Sequence, residues 1–282
     1  MIPAILKEYA KAKVLTNEKC AGILKDLLQI PDQRFEIIKD GDAVDIGGRT
    51  LKFLITLWIH WPETMLTYLE EDRILFTCDL FGSHLATSDL FVNDLRKTYL
   101  SAKRYYAEIM MPFRNHIKRH LSKIEPLDIE IIAPSHGPLY DRVEFIIDAY
   151  KDWTSDRVKN EVVIPYVSMH SSTMVMVDHL IKRLIAAGII VGTPTVLAGP
   201  HPLALYATYL VGALRPKVRY ISVIGSYSWG GRTTEILTGP IKNLKVEVIE
   251  PVLVKGMPGD GDLKRIDDLA HEIKRRYERL EV

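Results

Sequence analysis

Beyond the polar segment Thr154-Ser155-Asp156-Arg157-Val158-Lys159-Asn160, the chain alternates short apolar runs with helical stretches. Strands are expected at Val162 to Val167, Ile189 to Gly192, Val218 to Ile224 and Val246 to Ile249. Helices are expected from about Ser172, near Leu203 to Leu214, and near Leu263 to Arg275. Consecutive strands joined through a helix pair in parallel by right-handed crossovers, so this half is predicted to be a parallel sheet covered by helices. Sheets of this kind bind ligands in the loops that leave the carboxyl ends of their strands.

Three such loops carry suitable chemistry. Tyr166-Val167-Ser168-Met169-His170-Ser171-Ser172-Thr173 leaves a strand and enters a helix, where hydroxyls and free backbone N–H groups favour a phosphate. An ordinary Ser/Thr helix cap reads the same way when this segment is taken alone. Thr193-Pro194-Thr195-Val196-Leu197-Ala198-Gly199-Pro200 follows the next strand, and Gly225-Ser226-Tyr227-Ser228-Trp229-Gly230-Gly231 the one after. Their small residues let backbone amides approach a flat polar ring, and Tyr227 or Trp229 offers an aromatic cover.

The N-terminal half opens with a helical then mixed pattern from Ile5 to Lys25, followed by a strand at Leu51 to Leu57. Further strands are expected at Arg73 to Thr77 and Asp128 to Ala133, with helical stretches at Leu100 to Ile124 and Asp141 to Trp153. The three strands run into His60, Asp79 and His136. Those residues lie too far apart for a local zinc-finger motif, so only a fold could gather them as metal ligands. His116 and His120 have i,i+4 spacing without an intervening HExxH glutamate, among Arg114, Lys118 and Arg119, and are expected to face solvent.

The 37 basic and 36 acidic residues nearly cancel, leaving no global field to hold a nucleic acid. Two cysteines, Cys20 and Cys78, form neither a disulfide framework nor a CxxC pair, and no apolar run is of bilayer-spanning length. A cytoplasmic protein with no membrane partner is expected.

Taken together, these segments resemble the flavodiiron proteins, also called A-type flavoproteins. The likeness lies in the Ser-Met-x-x-Ser-Thr, Thr-Pro-Thr and Gly-Ser-Tyr-x-Trp-x-Gly loops. It extends to the blocks His60-Trp61-Pro62-Glu63-Thr64-Met65, Thr77-Cys78-Asp79-Leu80-Phe81-Gly82-Ser83-His84 and Ala133-Pro134-Ser135-His136-Gly137-Pro138. The resemblance implies an α/β chain: a partial metallo-β-lactamase-like αββα domain over 1–155, then a flavodoxin-like doubly wound parallel sheet over 160–282. It implies that Ser168, Met169, Ser171, Ser172 and Thr173 hold the FMN phosphate. Pro194, Thr195, Gly199, Ser226, Tyr227, Trp229 and Gly230 would surround ribityl and ring. His60 and His136 would each ligate one iron of a non-haem pair bridged by Asp79, while Glu63, Cys78 and His84 are not assigned as ligands and are expected to support or pack against the site.

For the family, the implied reaction is reduction of dioxygen to water or of nitric oxide to nitrous oxide, by a homodimer fed from a rubredoxin-like donor or its reductase. In that dimer, subunits pair head to tail. Two departures qualify the expectation. The resemblance places a His-x-Glu-x-Asp-His block with the remaining ligands ahead of the helix near Ile5, whereas this sequence opens at Met1-Ile2-Pro3, so an incomplete and impaired metal site is expected. Phe53, Ile55 and Leu57 would then need cover from another protomer or lie exposed. The helix ending near Gly188 leads directly into a strand, so about one βα unit is missing and the first strand becomes an edge. The alternatives are an FMN-binding electron-transfer module without a working metal site, or an inactive remnant.

Overall fold

The computed structural model describes residues 1–158, 161–184, 188–196, 198–228 and 231–278. The chain divides into two compact units, Met1–Ser155 and Asp156–Val282.

The first unit begins with α1 (Ile2–Glu8), β1 (Val14–Thr16), α2 (Glu18–Leu28) and β2 (Phe35–Ile37), β1 and β2 forming a small parallel pair. Its main sheet follows the order β3 (Ala43–Asp45), β4 (Thr50–Ile55), β5 (Met65–Leu69), β6 (Ile74–Cys78) and β7 (Ile131–Pro134). The first four strands form an antiparallel meander, with tight links except for the longer 56–64 loop between β4 and β5. β7 is parallel to β6 because the connection holds α3 (Leu95–Tyr105) and α4 (Arg114–Ile124). The continuous helix expected up to Ile124 is broken. A π turn at Tyr106–Met110 and a 3₁₀ turn at Met111–Phe113 intervene, where Pro112 has no N–H to continue the helical ladder.

After β7, α5 (Val143–Thr154) packs with α3 and α4 in a core containing Leu66, Leu75, Phe81, Tyr105, Ile117 and Ile132. Phe53 is itself buried, and Ile55 and Leu57 are half-buried, so the predicted need for cover from another protomer is corrected: most of that face is covered by the chain itself. Tyr150 lies wholly inside this core, where burial pushes its hydroxyl well above the ordinary phenol pKa and its polar contact is with the Phe81 backbone. Losing a buried hydroxyl recovers its desolvation cost and gives up the hydrogen bond it makes. Tyr150→Phe is therefore expected to change the unfolding free energy by less than about 1 kcal/mol, read from urea denaturation.

The second unit contains β8 (Val162–Val163), α6 (Ser172–Arg183), β9 (Gly188–Val196), β10 (Gly199–Pro200), α7 (Pro202–Leu214) and β11 (Tyr220–Tyr227). It closes with α8 (Thr233–Thr238), β12 (Glu247–Val248), β13 (Val252–Lys255) and α9 (Asp260–Glu278). β8, β9 and β11 are parallel neighbours in that order, with β12 and β13 pairing along the far side of β11. Successive residues of β9 and β11 face opposite cores. Ile190 and Ile224 pack with α6 and α9, whereas Val191 and Val223 pack with α7 and α8. Such two-sided burial explains why these strands read as continuous apolar runs. Gly225 is required by this close pairing, since a Cβ there would lie 2.3 Å from the Thr193 carbonyl oxygen.

The strand order runs directly from β8 to β9 without a further strand outside β8 among the described residues.

Candidate metal and flavin sites

Sheet direction gathers the metal candidates. β4 is antiparallel to β5, β5 to β6, and β7 is parallel to β6, so β4, β6 and β7 all end at one edge of the sheet. His60, Asp79 and His136 follow those three ends. Asp79 lies between the imidazoles: its Oδ2 is 3.1 Å from His60 Nε2, and its Oδ1 is 3.3 Å from His136 Nε2.

Local structure fixes each member. The register of β6 on β7 shifts between Phe76 and Cys78, and Cys78 adopts a left-handed backbone (φ 52°) that turns the chain into the Asp79 loop. That loop is closed by Leu80 N–H to Thr77 O, Gly82 N–H to Asp79 O and Thr77 Oγ1 to Leu80 O. The Ser83 N–H donates to His136 O and ties two of the segments together. Gly137 has φ +88°, and a Cβ there would meet Ser83 Oγ at 2.1 Å, so only glycine fits beside His136. His60 lies between the rings of Trp61 and Phe113, with centroids 6.3 and 6.1 Å away. The Tyr105 ring stands 5.9 Å from that of His136 and 4.7 Å from that of His84; burial, then the Asp79 charge, pushes the Tyr105 hydroxyl far above its ordinary pKa.

The shared carboxylate presents one oxygen to each imidazole, so one nitrogen and one oxygen face each other on either side of Asp79. Among the described residues, no group of three or more His, Cys, Asp or Glu side chains is placed to hold a single metal ion. The donor set suits two ions sharing a carboxylate, with the trio filling only part of each ion's shell.

The structure corrects the expectation for the α4 histidines. His116 and His120 are half-buried rather than solvent-facing: His116 tilts against the Trp58 ring at 6.4 Å, and His120 Nε2 donates to Leu57 O at 3.3 Å. Their basic neighbours masked this in the sequence, because a side chain's inward turn depends on what its helix packs against. Burial, then the Lys123 charge, lowers the His120 pKa below the ordinary imidazole value. A folded-state pKa below the unfolded one means that this contribution is complete above about pH 6.5 and is lost as pH falls toward the folded value. Unfolding free energies across that window should decline with acid, and His120→Gln should flatten the slope.

In the second unit, parallel pairing brings the ends of β8, β9 and β11 to one sheet edge. Ser171 starts α6 in the left-handed region (φ 63°), and Ser168 Oγ accepts the Met174 N–H. Ser172 and Ser226 are buried, with their hydroxyl oxygens 2.7 Å apart. Thr173 is fully buried at the α6 N-terminus, and its hydroxyl has no hydrogen-bonding partner among the described residues. An orphaned hydroxyl beside free helix N–H groups fits an anionic group there. Thr195 Oγ1 meets Thr233 Oγ1 at 3.0 Å. The strand beyond Pro194 is longer than expected and folds back through β10, which begins at Gly199. Met169 is exposed, and Tyr227 ends β11 half-buried. Trp229 and Gly230 lie outside the described residues.

The family described as "ODP family beta lactamase" matches residues 1–137. A nitric oxide reductase of Moorella thermoacetica is 32% identical over 306 residues, spanning 97% of this chain and 77% of that protein. Type A flavoprotein fprA of Rhodobacter capsulatus is 30% identical, spanning 93% of this chain and 69% of that protein. The chain belongs to the flavodiiron protein family. The fold of the rubredoxin oxygen:oxidoreductase from Desulfovibrio gigas superposes on this flavodiiron chain with a TM-score of 0.90 at 23% identity, covering 99% of this chain and 78% of that one. The Moorella alignment is longer than this 282-residue chain, so the relative carries segments that this flavodiiron chain lacks.

Proposed function

We propose that this chain is an FMN- and iron-dependent oxidoreductase that reduces dioxygen to water or nitric oxide to nitrous oxide. The observation that carries the reading is Asp79 seated between His60 and His136 on the same chain as a parallel-sheet edge bearing the orphaned Thr173 hydroxyl. Asp79 would bridge the two irons, with one imidazole on each. Ser168, Met169, Ser171, Ser172 and Thr173 would receive the FMN phosphate, and Pro194, Thr195, Gly199, Ser226, Tyr227, Trp229 and Gly230 the ribityl chain and ring. When bound, the flavin converts between one- and two-electron transfer and the irons polarise the small oxidant. The protein's part is placement. Trp61 and Phe113 flank His60, the Asp79 turn fixes the carboxylate, and Tyr105 keeps its proton beside His136.

A rubredoxin-like protein or its reductase would supply the electrons to a homodimer in the cytoplasm. Among the described residues, no helix is long and apolar enough to cross a membrane. The small donor set favours one second reading, an FMN-bearing electron-transfer module without iron. Purified protein that carries both flavin and iron and consumes dioxygen or nitric oxide anaerobically primed by a reduced rubredoxin supports the first reading. Flavin without iron or consumption supports the second, and protein with neither cofactor refutes both.

A further inference from the structure

The sheet of the second unit has an open side at β8. Among the described residues, β8 pairs only with β9, so its outer backbone groups have no strand beside them. Val162, Val163 and Ile164 are β-branched and uncharged, and although β8 is only two residues long and Pro165 limits its extension, no lysine or bulge lies within it. Val162 and Ile164 turn toward the core shared with α6 and α9, whereas Val163 is 59% exposed on the opposite face. The helix that follows, α6, shows a second exposed apolar surface: Met174, Val175 and Ile181, the last 56% exposed.

Charge argues for a copy rather than an unrelated partner. Asp178 and Lys182 are both exposed on α6, one helical turn apart, and neither forms an ion pair among the described residues. By contrast, His179 and Arg183 on the same helix are both engaged with Asp267 of α9. A two-fold axis that reverses α6 against its copy sets Asp178 opposite Lys182 twice, so the surface complements itself. The same operation runs β8 antiparallel to its copy, supplies hydrogen-bonding partners to both edges and places Val163 beside its counterpart.

We propose that two copies pair through β8 and α6 about a two-fold axis, continuing one sheet across the pair. This pairing is independent of the cofactors and of the head-to-tail dimer discussed above. The test is the molar mass of the full chain by light scattering at micromolar concentration. Val163→Lys and Ile181→Glu should each halve the wild-type mass, while Val163→Thr, which keeps the β-branch, should preserve it. Asp178→Lys should also weaken association, about 10-fold in dissociation constant, and adding Lys182→Asp in the same chain should restore it. Misfolding cannot produce that rescue, and circular dichroism checks that each variant keeps its fold. Wild-type mass in folded Val163→Lys and Ile181→Glu, no rescue by the charge swap, or a monomeric wild type would each overturn the proposal.

Discussion

Asp79→Ala is expected to abolish iron loading: the affinity for ferrous ion, followed by anaerobic titration and metal analysis, should fall roughly 100-fold or more. The scale follows from the 10–100-fold losses seen when residues that merely support a ligand are changed. Asp79 contributes more than support, because its two oxygens face His60 and His136 at 3.1 and 3.3 Å and its removal takes a donor from both positions at once. His60→Ala should cost less at one position and leave the other imidazole and the carboxylate in place. Equal metal binding by wild type and Asp79→Ala would show that these three residues do not hold the ions. The fold should survive the change, since the side chain is partly solvent-exposed and the turn around it is closed by Thr77, Leu80 and Gly82.

Thr173→Val separates binding from folding. The hydroxyl is fully buried and has no partner among the described residues, so replacing it with a methyl of similar shape should leave the cofactor-free protein as stable or slightly more stable. If that hydroxyl receives the FMN phosphate, a hydrogen bond to a charged group is lost, worth roughly 1.5–3 kcal/mol, and the flavin dissociation constant should rise about 10–100-fold. The two readouts, thermal melting without flavin and fluorescence titration with FMN, should therefore move in different directions. A drop in melting temperature with unchanged FMN affinity would assign Thr173 to the core alone.

The flavodoxin-like half was largely legible in advance because its strands are buried on both faces and separated by helices. Apolar runs such as Ile189 to Gly192 and Val218 to Ile224 therefore stand out, even though β9 continues to Val196. The short interval between α6 and β9 was also legible from spacing, and among the described residues no strand lies outside β8. Less was visible in the first half. β5, Met65 to Leu69, is not among the expected strands; it owes its extended form to pairing with β4 on one side and β6 on the other. β3 and β2 are three-residue strands whose identity depends on a neighbour supplying hydrogen bonds. The break between α3 and α4 had a signal in Pro112, but the π turn ahead of it had none. The burial of Phe53 and the inward turn of His120 depend on elements far away in sequence.

Residue chemistry and order along the chain thus determined which side chains end strands, which loops can grip a phosphate and which fold class holds them. Strand direction decided the rest. That His60, Asp79 and His136 meet required the antiparallel and parallel pairings of β4 through β7, because pairing places three ends at one edge regardless of the sequence distance between them. That one carboxylate faces two imidazoles, and that the Thr173 hydroxyl is left without a partner among the described residues, are likewise tertiary facts. Hydrogen-bond geometry and burial arise only when distant segments pack, and no local pattern of residues encodes them.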